Sequence, residues 1–239
     1  TVFALFNTLP GRVGYWSMAD VQRSTGNVYD NSPQGRDLTL NGNPTFNLYR
    51  DLVPYIDFDG NADFLSRADE TDLDITGNET QYAANVRGLT LGGWFWLDSL
   101  SGGTARGFMN KYTTTGNQRG YTLILGGTDA TNFTISSNGT ATTAVNGPIL
   151  GTNRWYNIVA RFVPLTSLDI YIGDPNAEAP NDWVKTSNTT SIPASIFANT
   201  TAFEIGRFNL GAGNVMDGRA SNCFLNANSV PDDTLEMQF

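Results

Sequence analysis

The chain has no histidine and a single cysteine, Cys223, among its 239 residues. Without histidine there is no Ser-His or Cys-His nucleophile pair, no histidine-ligated zinc, and no side chain that ordinarily titrates near neutral pH. One cysteine cannot close an internal disulfide, and its setting in "SNCFL" is that of a buried, inert thiol. Positive charge is also scarce: 14 Lys and Arg face 23 Asp and Glu, giving a net charge of −9. Nucleic acid and anionic membranes both need clustered cations, so the composition argues against either as a partner. No apolar run approaches the roughly 18 residues of a membrane span, so insertion is not expected. The opening "TVFALFNTLPGRVGYW" lacks the basic and long apolar regions of a retained signal peptide; a leader already removed and a trimmed initiator Met both fit Thr1.

What the chain does have is 40% hydrophobic residues, ample for one sizeable core. They come in short β-type runs between Gly, Asn, Asp and Pro clusters: "VGYWSM", "DLTLNG", "YIDFDG", "LTLGGWFWL", "GFMNKY", "GYTLILGG", "NFTISSNG", "WYNIVARFV", "SLDIYIGD", "AFEIGRF" and "CFLNAN". Spacing of this kind, without helical periodicity, predicts an all-β antiparallel sandwich or barrel. No internal repeat or interdomain linker is evident. The most loop-like stretch is 173–195, rich in Pro, Asn and Ser, and a short capped helix is expected only in "SVPDDTLEM" near the end.

One run is unusual. In "GLTLGGWFWLDSL", alternation puts Leu89, Leu91, Phe95 and Leu97 on one face and Thr90, Trp94 and Trp96 on the other. A strand with one wet face would carry polar residues there. Either another layer covers the tryptophans, or they line a surface meant to meet something.

Taken in order, the runs resemble a laminin-G-like domain of the concanavalin A-like lectin/glucanase superfamily, in its bacterial and phage branch. The likeness rests on "VGYWSMAD…VYDNSPQGRDLTLNGNPTF", "YIDFDGNADFLSR", "GLTLGGWFWLDSL", "RWYNIVARFV…SLDIYIGD", "AFEIGRF" and "NVMDGRASNCFLNANSVPDDTL", and runs from about Val13 to Leu235. It implies a two-sheet antiparallel jelly-roll sandwich, with residues 13–239 as one domain and 1–12 as an N-terminal docking segment, whose Val2, Phe3, Leu5, Phe6 and Leu9 are too apolar for a free tail. The position matching Trp94 is usually Trp in the family, whereas the one matching Trp96 is more often polar. Trp96 is therefore the candidate sugar-stacking ring unless a loop covers it, and Trp183, from the loop-like stretch, is the second candidate.

Carboxylates supply the remaining candidates. Glu70, Asp72 and Asp74 in "DETDLDITGNE" alternate as the catalytic acids of glucan hydrolases of this fold do. The segment lacks flanking apolar residues to tune the acids, and a solvated loop is the better reading. Laminin-G-like and pentraxin relatives often bind calcium at rim loops, and the matching oxygen donors here are Asp30, Asn31, Asp59, Asp63 and Asp217; each is also a turn former. Five sequons, at Asn78, Asn132, Asn138, Asn188 and Asn199, have significance only in a glycosylating pathway.

The expectation is a non-catalytic, surface-exposed binding or structural module. A virus or phage particle decoration protein with a carbohydrate-binding jelly roll comes first, a secreted bacterial glycan-binding domain second and a glycoside hydrolase last. Its expected partners are a glycan or cell-surface polysaccharide, with capsid proteins or further copies of itself for the particle reading, and calcium as the candidate cofactor. Its expected setting is a virion surface or the extracellular space.

Overall fold

The computed structural model describes residues 11–22, 26–50, 52–79, 87–174, 183–211 and 213–232. Along the chain the strands are β1 (Arg12–Trp16), β2 (Val21–Gln22), β3 (Asn27–Val28), β4 (Leu38–Asn41), β5 (Thr45–Tyr49), β6 (Val53–Asp59), β7 (Phe64–Arg67), β8 (Leu89–Leu97) and β9 (Arg106–Thr113). They continue as β10 (Gln118–Leu125), β11 (Ala130–Gly139), β12 (Thr142–Ile149), β13 (Trp155–Val163), β14 (Ser167–Gly173), β15 (Trp183–Asn188), β16 (Phe203–Ile205) and β17 (Asp217–Asn226). Helix among the described residues is confined to single short turns, and none is long and apolar enough to cross a membrane.

Two antiparallel sheets form a sandwich. The first runs β15-β14-β13-β8-β17-β6-β5, with β1 also paired to β17; the second runs β12-β11-β10-β9-β16-β7-β4-β3-β2. Strands far apart in sequence lie side by side, as β8 does between β13 and β17, which is the wiring of a jelly roll rather than of a meander. The period-2 pattern explains the layers. Leu89, Leu91, Phe95 and Leu97 of β8 and Tyr156, Ile158, Ala160 and Phe162 of β13 all fall in one central core. Phe95 meets Phe108 of β9 with ring centroids 4.8 Å apart, and Trp16 of β1 stacks on Phe203 of β16 at 5.4 Å, so the two sheets close on aromatic contacts.

The outer face of the first sheet is not uniformly wet. Tyr15, Val159, Tyr171, Phe224 and Val230 form a second, smaller buried cluster there, against which Trp183 packs. A bulge in β17 between Ser221 and Phe224 sets this up: the extra residue, Asn222 at φ 49°, turns Phe224 outward and Cys223 into the main core. The segment after β17 straps across the cluster. Arg161 donates to the Val230 carbonyl, and Asp232 accepts from the Tyr171 hydroxyl at 2.8 Å and from Lys185 Nζ at 2.7 Å.

The stretch read as most loop-like, 173–195, holds an additional strand, β15. "WVKTSN" escapes the alternation test because it is a mostly exposed edge strand. Cys223 is fully buried, and burial pushes its thiol well above the ordinary range, in keeping with an inert sulfur.

Candidate functional site

Side chains of β8 that do not enter the core stand on the outer face of the first sheet, and Trp96 is among them. Strand register extends its position into a row across four strands: Asp57 of β6, Arg219 of β17, Trp96 of β8 and Trp155 of β13 are successive Cα partners. Gly218 keeps the row tight. It sits opposite Leu97 at φ 152°, and a Cβ there would run into the Trp96 carbonyl.

Four rings gather on this row. The Trp96 ring lies 6.0 Å from Trp155, edge-on, and 6.4 Å from Tyr49, while Trp155 also meets the edges of Tyr49 and Tyr55, each at 5.9 Å. Tyr49 belongs to β5, at the far edge of the sheet from β13, so the end of the β5–β6 hairpin leans over the outer face to make this contact. It can do so because β6 pairs with β17 only from Ile56 to Asp59. Leu48 and Leu52 at the same hairpin end are exposed. Trp96, Tyr49 and Tyr55 are half-buried, and Trp155 is 7% exposed at the bottom of the cluster. Among the described residues, the Trp155 Nε1 is buried without an acceptor, a deficit that costs on the order of 1–3 kcal/mol.

The charged groups are interleaved with the rings. The Arg219 guanidinium lies 4.9 Å from the Trp96 centroid and 5.4 Å from that of Tyr55. It is flanked by two carboxylates, Asp57 at 3.3 Å and Asp98 at 3.5 Å. Asp98 also accepts from the Trp96 Nε1 at 2.8 Å, fixing that indole. Burial raises the Asp57 carboxyl above its ordinary value; Arg219 pulls it back, and Asp98 and Asp217 push it further up. The cluster is therefore an amphipathic platform: partly open ring surface, bordered by fixed acceptors and two guanidiniums, Arg219 and, 5.3 Å from the Tyr49 centroid, the exposed Arg50.

Trp183, the second sequence candidate, stands on the same face but not at the same place. It partners Gly173 at the edge strand, packs edge-on against Tyr171 at 6.0 Å, and lies three strand spacings (~14 Å) from β8. The structure does not bring the two candidate rings together.

The calcium candidates fall into two separate turns. In the first, the Asp30 carboxylate accepts from the backbone amides of Tyr15, Ser32 and Arg36 and from the Ser32 hydroxyl, all within 2.7–2.9 Å. Asn31 accepts from Ser17 and donates to Asp20. In the second, Asp217 partners Asp59 across β17 and β6, Asp59 accepts from the amides of Asn61 and Ala62, and Asp63 accepts from those of Asn43 and Asp59. Those amide bonds, led by Asn61, lower the Asp59 carboxyl below its ordinary value. The Asp59 and Asp63 carboxylates are thus spent on turn amides. No cluster of three or more His, Cys, Asp or Glu side chains suited to a metal occurs among the described residues.

The acidic run is tied into ion pairs. Glu70 meets Arg36 at 3.1 Å and Arg67 at 3.0 Å, Asp72 pairs with Arg36, and Asp69 and Asp74 grip the buried Lys111 at 2.7 and 2.9 Å. Residues 1–10 of the expected docking segment, and 233–237 of the expected helix in "SVPDDTLEM", lie outside the described residues.

No family model and no curated protein sequence matches the chain. Solved structures do share its architecture. It is similar to the binding domain of Paraclostridial Mosquitocidal Protein 1, with TM-score 0.71 and 12% identity over 95% of this chain and 51% of that one. The ligand binding domain of botulinum neurotoxin serotype D, solved in complex with N-acetylneuraminic acid, gives TM-score 0.67 and 8% identity over 95% and 50%. The botulinum neurotoxin serotype G binding domain gives 0.67 and 10% over the same shares, 95% and 50%. The chain thus spans about half the length of these neighbours. The likeness bears out the two-sheet sandwich; it does not place the chain in the laminin-G-like family.

Proposed function

We propose that the chain is a non-catalytic carbohydrate-binding module whose ligand lies on the Trp96 platform. The observation that carries this reading is the row Asp57–Arg219–Trp96–Trp155, with Tyr49 and Tyr55 leaning in beside it. A pyranose has one C–H-rich face and a rim of hydroxyls. Open ring surface suits the former, and carboxylates and a guanidinium fixed at its border suit the latter. The scaffold supports the reading too: a neighbour of the same fold is a ligand binding domain solved with a sugar acid.

The state of the acidic run supports binding rather than cleavage. Glycoside hydrolysis needs a carboxyl pair free to flank the scissile bond. Glu70, Asp72 and Asp74 are instead committed to Arg36, Arg67 and Lys111. The two narrower settings, a virus or phage particle surface and a secreted bacterial protein, use the same platform; a neighbouring capsid or tail gene favours the first and a polysaccharide-utilisation cluster the second.

The test is titration of the full chain against a glycan array, followed by Trp96→Ala. A central tryptophan anchor is worth about 2 kcal/mol or more, so about 30-fold weaker binding is expected with unchanged far-ultraviolet circular dichroism. Absence of any glycan ligand, or binding indifferent to Trp96→Ala, overturns the proposal.

A further inference from the structure

Charge at the platform narrows the class of sugar, an inference that rests on the carbohydrate reading above. The outward positions of β6 and β17 form two successive partner pairs, Asp57 with Arg219 and Asp59 with Asp217. The intervening Ile56, Phe58 and Ala220 go into the core, which fixes the four charged residues on the outer side. Asp98 joins them through Arg219 and Trp96. Four carboxylates thus share this face with two guanidiniums: Asp57 and Asp98 contact Arg219, Asp59 and Asp217 form the next partner pair, and the exposed Arg50 lies 5.3 Å from the Tyr49 centroid.

Arg219 is already taken, and Arg50 offsets only one of the four carboxylates. Arg219 faces Asp57 at 3.3 Å and Asp98 at 3.5 Å, and lies over the rings of Trp96 and Tyr55. An incoming carboxylate would have to displace two acceptors to reach it, while meeting the field of Asp59 and Asp217 and of a chain with net charge −9. A hydroxyl has the opposite experience. It donates to a carboxylate without adding charge, so the same acids that repel an anion hold a neutral sugar.

We propose that the platform selects uncharged sugars and rejects sialylated and uronic acid glycans. The selectivity comes from repulsion built into the site, since the ring surface alone would accept either class.

The experiment compares immobilised neutral glycans ending in galactose, glucose or N-acetylglucosamine with the same glycans capped by N-acetylneuraminic acid. The full chain is tested at about 0.05 M and about 0.5 M salt. Neutral glycans are expected to bind at least about tenfold more tightly at low salt, with the gap narrowing at high salt as the repulsion is screened. The double variant Asp57→Asn/Asp98→Asn, which frees Arg219, is expected to close most of that gap by improving capture of the capped glycans. Equal or tighter binding of the capped glycans by the wild type, lost in Trp96→Ala, overturns the selectivity and leaves the platform standing. A gap unaffected by both salt and the double variant also overturns it, since the preference would then come from shape. Failure of every glycan to bind overturns both readings.

Discussion

Lys111 gives the clearest perturbation of the acidic run, because the structure assigns that run to architecture. Its side chain is 1% exposed, and its Nζ donates to Asp69 at 2.7 Å and to the Asn199 carbonyl at 2.6 Å and meets Asp74 at 2.9 Å. Asp74 in turn accepts from the Asn199 amide at 3.0 Å, so one ammonium joins β9, the acidic loop and the 199 segment. Lys111→Met keeps the chain length and removes the charge. Breaking a fully buried pair costs about 3–5 kcal/mol; here Asp69 and Asp74 are 32% and 19% exposed and regain some water, so about 2–4 kcal/mol is expected. At about 2–4 °C per kcal/mol for a chain of this size, Tm falls by about 5–15 °C. Thermal unfolding followed by circular dichroism reads the shift. Adding Asp69→Asn and Asp74→Asn to Lys111→Met removes the orphaned charges and is expected to recover part of the loss. A single-variant drop below about 2 °C, or a further fall in the triple variant, refutes the argument.

Other consequences follow from the same contacts. Burial opposes ionisation of Asp232, but hydrogen bonds from Lys185 and Tyr171, with Arg161 nearby, prevail and lower its carboxyl to about 2. A lowered acid stabilises the fold above the ordinary value of 3.8 and loses that contribution as pH falls from there toward 2. Trp183 fluorescence, read above the buried Trp16 once Trp94, Trp96 and Trp155 are replaced with Phe, is expected to change in that window and to stay flat in Asp232→Asn. Cys223, buried under Gly93, is expected to resist thiol reagents in the native state and to react only on unfolding, which a colorimetric thiol assay reads. Calcium at about 1 mM is expected to shift Tm by less than about 1 °C, because the Asp30, Asp59 and Asp63 carboxylates already accept backbone amides; a rise of several degrees would show that these turns open to take the ion.

Strands with a core-facing row were readable from sequence, and β8 and β13 span the very β-type runs that the sequence picks out, 89–97 and 155–163. The strands that pattern missed lie mostly at sheet margins. β5, β12 and β15 are edges with few buried residues, and β12 carries the turn-like "NGP" that an edge strand tolerates. Trp96 was legible because a large ring stood on a face that should be polar. Its partners were not. Alternation within "RWYNIVARFV" puts Trp155 on the same kind of face, but only register sets it beside Trp96, with Arg219 and Asp57 on the other flank. Tyr49 arrives through a hairpin that leans across the sheet, a tertiary event with no local signal. The carboxylate candidates carry two readings for a related reason: Asp side chains in such turns can spend their oxygens on nearby amides, a use that composition does not separate from metal binding.

The most direct measurement of the central claim is oxidative footprinting of the five tryptophans with and without a saturating neutral glycan, read by mass spectrometry. The account predicts that Trp96, half-open in the free protein, is protected on binding while Trp183, packed against Tyr171 some three strands away, keeps its free-state rate. Protection of Trp183 with Trp96 unchanged would move the ligand off this platform and contradict the account.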